Sequence, residues 1–194
     1  MKQKNQRALI HLLTARSWPA RISAIVILSI AAFSWWNERS VTPGQLAKGS
    51  TIEGQVVAVA DGDTITLLDA NQQQYKLRLA YIDAPEKAMP FGQAAKTNLS
   101  DLVFKQNISA HIDDVDRYGR GVARISKNQQ DINLAQVNSG FAWHYTTYAK
   151  KAQSAADFAD YANAQQAAKS ARLGLWQDPQ AMPPWDWRKA KRSE

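Results

Sequence analysis

Apolar and polar positions alternate with a period of two early in the chain's folded part and with helical spacing later. Residues 51–59 and 63–68 are dense in β-branched side chains, and Ala70-Asn71-Gln72 opens a polar turn into residues 75–82. In that third run Lys76, Arg78 and Ala80 alternate with Leu77, Leu79 and Tyr81, which predicts a strand with one buried face. Arg78 therefore points away from the apolar side. Pro85 ends this strand, and across residues 91–105 Ala94, Ala95, Leu99, Leu102 and Val103 can share one helical face. Residues 108–113 and 121–125 predict a further strand pair. Asp131 reads as the N-cap of a helix over residues 132–139 closed by Gly140, and residues 151–172 as an alanine-rich helix stopped at Gly174. Five strands, three helices and no internal repeat predict an α+β domain over residues 51–178.

Ahead of that domain lies a different pattern. Residues 22–36 are fifteen consecutive positions without a charge, long for a core strand and short for a comfortable membrane span. Residues 1–21 carry Lys2, Lys4, Arg7, Arg16 and Arg21 and no acid. Two expectations follow. A cleaved signal peptide needs small residues at the cut, and Ala32-Phe33-Ser34 supplies a modest candidate before Trp35-Trp36. An uncleaved anchor has Trp18 at one end and Trp35-Trp36 at the other, about 26 Å apart on a helix, as in two aromatic interface belts. The anchor is preferred. The basic stretch stays cytoplasmic under either expectation, which places the domain on the outer side of an inner membrane, or secretes it after cleavage. Residues 37–50, with Pro43-Gly44, read as a linker.

The formal net charge of +7 suggests nucleic acid or membrane as partners, but its distribution changes the picture. Residues 52–184 hold thirteen basic and fourteen acidic side chains, so the domain lacks a broad basic face to attract a polyanion. The surplus sits in residues 1–21 and in the C-terminal tail, residues 179–194, with Arg188, Lys189, Lys191 and Arg192. That tail is either a solvated end or an aid to substrate affinity. The chain has no cysteine, which excludes disulfides, zinc-thiolate sites and cysteine nucleophiles. His11, His111 and His144 are scattered, which argues against a histidine-metal site.

The candidate chemistry lies at strand ends. Asp61-Gly62-Asp63-Thr64 is followed by Arg78, then Asp83, Ala84, Pro85 and Glu86, and later by Asp116-Arg117-Tyr118-Gly119-Arg120. Asp-Gly alone is an ordinary hairpin turn, and each aspartate alone reads as a turn or cap residue. Together, three carboxylates could collect a calcium ion and a water while two guanidinium forks grip a phosphate through paired donors. That combination points to phosphodiester hydrolysis. Asp61 reads as a turn-former or outer group. Arg78 could instead form a surface ion pair with Asp69 or Glu53, and Arg120 could belong to a plain hairpin.

In order and spacing these motifs resemble the staphylococcal nuclease (thermonuclease) family, over residues 55–176. The resemblance implies a five-stranded barrel of the oligonucleotide/oligosaccharide-binding (OB) type with appended helices. It implies that Asp63, Asp83 and the Ala84 carbonyl hold Ca2+, that Glu86 orients or deprotonates the attacking water, and that Arg78 and Arg120 stabilise the phosphate. Many members carry a hydroxyl side chain where Ala84 stands, a departure that bears on metal affinity. Tyr118 and Tyr148 could stack on bases through their aromatic faces; in residues 140–148 only Tyr148 lines up with a nucleotide-contacting tyrosine of the family, while Tyr145 is displaced by one and reads equally well, with Trp143, as core. The implied activity is sugar-nonspecific cleavage of DNA and RNA, preferentially single-stranded, by a monomer, leaving 3′-phosphate ends. A barrel that binds single strands without cutting them is the alternative, and a tethered scaffold has only the anchor behind it.

Overall fold

Residues 42–43 and 45–193 are described by the computed structural model. The apolar run at residues 22–36 lies outside them, and among the described residues no helix is long and apolar enough to cross a membrane. Five strands close a barrel: β1 (Thr51–Val59), β2 (Thr64–Leu68), β3 (Gln73–Leu79), β5 (Asn107–Val115) and β6 (Gly121–Lys127). They pair in the order β3-β2-β1-β5-β6, and β6 returns to pair with β3 in parallel, Arg78 opposite Val122. Bulges between Val56 and Ala58 and between Ile112 and Asp114 supply the curvature that closure requires. The barrel interior is filled by Val56, Ile65, Leu67, Leu77, Ala110, Ile112 and Ala123, all fully buried. These are the apolar members of the period-two pattern.

The α+β class and five-stranded barrel match the expectation, and the helices outnumber it. Between β3 and β5 come the short strand β4 (Ile82–Asp83) and helix α1 (Gly92–Val103), and after β6 a two-residue strand β7 (Gln130–Asp131) leads into α2 (Ile132–Asn138). Asp131 caps α2 as expected, its carboxylate accepting the Leu134 N–H at 2.9 Å. The single helix predicted for residues 151–172 is two. Past β8 (Trp143–His144), α3 (Thr146–Ala152) ends at an extended Gln153, and α4 (Ala155–Ser170) starts afresh with Ser154 as its cap. Gln153 leaves the helical path to place its side-chain Oε1 2.9 Å from Nε2 of the buried His144, a tertiary contact that alanine-rich periodicity does not disclose. A 3-10 turn (Gly174–Gln177) precedes α5 (Pro184–Ala190). The tail read as either a solvated end or a substrate aid thus contains a helix, entered through Pro184 at its first turn.

Two buried amides join barrel and helices. The Asn133 amide nitrogen donates to the carbonyls of Ala80 and Ala123, both at 3.0 Å, and its oxygen accepts the Ile125 N–H. Gln136 donates to the Gly62 carbonyl at 2.8 Å and the Ala95 carbonyl at 3.2 Å, and accepts from Asn98. Gly62 itself is pressed so closely between strand end and helix that a Cβ there would stand 2.7 Å from the Cβ atoms of both Ala84 and Ala95. Gln136 therefore ties the Asp61–Asp63 turn to α1 and α2. Gln136→Ala leaves the Gly62 carbonyl without its side-chain donor and the Asn98 amide without its acceptor, and should cost about 1–3 kcal/mol. Urea unfolding checks this, and an unchanged midpoint would rule the tie out.

Candidate active site

Strand register assembles the site. Arg78 stands near the end of β3, opposite Thr64 of β2 and Val122 of β6, so its guanidinium reaches the residue preceding Thr64. Nη1 donates to Asp63 Oδ1 at 2.7 Å and Nη2 to Asp83 Oδ1 at 2.6 Å. Asp63 Oδ1 also accepts the Thr64 hydroxyl at 3.0 Å, and Oδ2 accepts the Ala84 N–H at 3.0 Å. Asp83 is held in place because β4 pairs with β8, Asp83 opposite Trp143. The surface ion pairs considered for Arg78 are not formed: Asp69 instead accepts the N–H groups of Asn71 and Gln73 and the Tyr75 hydroxyl. Asp61 behaves as the turn-former expected of it, accepting the Asp63 N–H at 3.1 Å.

Glu86 follows Pro85 in a turn closed by the Met89 N–H on the Glu86 carbonyl at 2.8 Å. Its carboxylate is joined to Asp83 by a residue not singled out for the site from the sequence. Arg188 of α5 donates from Nη2 to Asp83 Oδ2 at 2.6 Å and from Nη1 to Glu86 Oε1 at 2.7 Å. Trp185, one turn earlier, stacks on Tyr145 with ring centroids 4.9 Å apart and planes within 6°. The signal available in the sequence was the pair of tryptophans flanking Asp186 in an otherwise polar tail, since aromatic side chains rarely stay in water when a partner face is near.

The remaining predicted residues are placed less directly. Arg120 is tied to its own turn, Nε and Nη2 both 2.8 Å from Asp116 Oδ2, and makes no contact with Arg78, Asp83 or Glu86. It is two residues ahead of Val122, the partner of Arg78, which sets it at the same end of the barrel. Tyr118 is 70% exposed, with the Arg117 and Arg120 guanidinia 5.0 and 5.6 Å from its ring centroid. Tyr148 is 63% exposed. The Tyr148 ring meets Tyr145 edge-on at 4.9 Å between centroids. Tyr145 and Trp143 pack with Trp185, and Trp143 also meets Trp176 edge-on, in agreement with a packing role.

Electrostatics follow from burial. Asp63 and Asp83 are 3% and 0% exposed, so each needs compensating charge. Burial works against charge on Arg78, but Asp63 and Asp83 outweigh it and hold the guanidinium above its ordinary value. Burial pushes the Asp83 carboxyl upward, and the hydrogen bond from Arg188 opposes that shift. Desolvation, with the neighbouring Asp63, pushes Asp61 up to about 6. The three-carboxylate cage expected for calcium is not preformed: among the described residues no three His, Cys, Asp or Glu side chains converge on a point, because the guanidinia of Arg78 and Arg188 stand among Asp63, Asp83 and Glu86. The donor chemistry nonetheless fits a hard divalent ion, since two buried carboxylates side by side offer oxygens alone and demand positive charge.

Residues 76–178 match the family described as "Staphylococcal nuclease homologue". The "Micrococcal nuclease" of Shigella flexneri is 35% identical over 181 residues, covering 89% of this chain and 92% of that protein. An "Uncharacterized endonuclease" of Haemophilus influenzae is 39% identical over 138 residues, 71% of this chain and 74% of that protein. "Protein ParB" of Escherichia coli is 32% identical over 176 residues, 86% of this chain and 88% of its own length. The match spans the strand end with Arg78, the Asp83–Glu86 segment and the Asp116–Arg120 turn, and with the five-stranded barrel it shows that the chain belongs to the staphylococcal nuclease family.

Proposed function

We propose that this protein is a calcium-dependent endonuclease that hydrolyses phosphodiester bonds of DNA and RNA without regard to the sugar, preferring single strands and leaving 3′-phosphate ends. The observation that carries this reading is the shared grip on Asp83: Arg78 holds it against Asp63, and Arg188 holds it against Glu86. A base, two anionic ligands and a phosphate-binding fork thus meet within one side chain's reach of each other.

Asp63 and Asp83, with the Ala84 carbonyl, would hold the calcium, which when bound supplies positive charge to a phosphate oxygen and lowers the cost of deprotonating water. Glu86 accepts the proton of the attacking water. Arg78 presents two coplanar donors to the phosphate oxygens as negative charge grows on them, and Arg120, once released from Asp116, adds a second fork. Tyr118 and Tyr148 offer exposed faces on which bases stack whatever their identity, which supports tolerance of DNA and RNA and favours unpaired strands. These exposed rings equally serve a barrel that binds single strands without cutting, and the acid at Glu86 is the feature that separates the two functions. Residues 22–36 anchor the nuclease with its domain on the outer side of the membrane.

Glu86→Gln removes the proton acceptor while keeping size and polarity, and should lower turnover by on the order of 10²–10⁴-fold with nucleic-acid binding retained. Arg78→Lys and Arg120→Lys should be severely impaired although charge is preserved, because an ammonium cannot present a planar fork. Wild-type rates in Glu86→Gln would remove that residue from the mechanism, and near-normal rates in both lysine variants would dismiss the clamp.

Calcium should support higher turnover than magnesium, since an irregular oxygen shell suits the larger, geometrically tolerant ion. A metal titration in which magnesium gives the faster cleavage contradicts this site.

Full-length protein should stay in the membrane fraction after high-salt washing and should retain Lys2 by intact mass. A mature N-terminus near Trp35 would instead indicate cleavage and release.

A further inference from the structure

Arg188 is not required by the chemistry proposed for the site, yet it makes some of the site's shortest contacts. Its guanidinium lies 2.6 Å from Asp83 Oδ2, 3.3 Å from Asp83 Oδ1 and 2.7 Å from Glu86 Oε1. Since Arg78 already occupies Asp83 Oδ1, each oxygen of the ligand carboxylate is committed to a guanidinium. The oxygen set that would hold a divalent cation, and the carboxylate that would take a proton from water, are thus both neutralised by the protein's own cation.

The two guanidinia differ in how they are held. Arg78 belongs to a central barrel strand and its side chain is 20% exposed. Arg188 belongs to a seven-residue helix at the chain's end and is 36% exposed. Its helix is held by the aromatic contacts of Trp185 with Tyr145 and Trp143, and Trp187 lines a cavity together with Pro85, Met89 and Phe91. No strand pairing retains α5. When a divalent cation draws on Asp83, the group that can leave without opening the barrel is Arg188.

We infer that α5 is an autoinhibitory latch: Arg188 occupies the Asp83–Glu86 position as a built-in cation, and calcium, arriving with or ahead of substrate, displaces it. The inference rests on the calcium site proposed above. Occupancy of the closed form lowers the apparent calcium affinity by the fraction of time the latch is open, about tenfold if that fraction is about a tenth. Release also frees the Glu86 carboxylate from its ion pair, so cation binding and availability of the base are coupled. A nuclease held this way stays closed where calcium is scarce.

The test is calorimetric titration of full-length protein in detergent with calcium alone, no nucleic acid present, for wild type, Arg188→Ala and Trp185→Ala, the last loosening the helix while leaving the arginine in place. Both variants should bind calcium about tenfold more tightly than wild type, consistent with removal of a competitor. In wild type, calcium should speed trypsin cleavage after Lys189 and Lys191. Calcium binding of equal affinity in all three proteins overturns the latch while leaving the calcium site intact. Absence of calcium binding in all three overturns the latch and the site together. If, in a second titration with a single-stranded oligonucleotide, Arg188→Ala weakens binding while its calcium affinity is unchanged, Arg188 is a substrate contact and the latch is wrong.

Discussion

Two carboxylates buried side by side, Asp63 and Asp83, set the constraint on which this end of the molecule depends. Taking two carboxylates out of water is costly unless positive charge stands close by. Arg78 supplies it from β3, and the geometry works only because β2 and β3 are in the register that puts Thr64 opposite Arg78. A slip of one residue would turn Arg78 into the apolar interior and expose Leu77 or Leu79. Barrel closure and site assembly are for this reason one event, since the strand that carries Arg78 is also the strand on which β6 closes.

The helices serve the same end. Asn133 bonds to the carbonyls of Ala80 and Ala123 and Gln136 to those of Gly62 and Ala95, and Gln136 thereby holds the turn that leads into Asp63. The short pairing of β4 with β8 does the corresponding task for Asp83. Glu86 is held more loosely, in a turn and through a partner on α5, and its side chain is 41% exposed. The residue expected to handle protons is thus the most exposed of the three acids. That agrees with a group that must meet water and substrate in turn.

Much of this was legible in the chain alone because its causes are local. The alternation of Lys76, Arg78 and Ala80 with Leu77, Leu79 and Tyr81 determined a strand and the side on which Arg78 lies, and Asp131 announced α2 through its cap. The break at Gln153 was not legible, because the competing partner, His144, belongs to another element. The place of Arg188 was not legible for the same reason: a basic tail looks the same whether it is solvated or folded back. By itself, then, the sequence determined the five barrel strands, the candidate residues at their ends and, through their spacing, the family to which the chain belongs. Tertiary structure alone decided which cation each carboxylate meets. Spacing along the chain governs backbone periodicity, whereas the pairing of buried charges depends on which surfaces come together when the barrel closes and α5 docks.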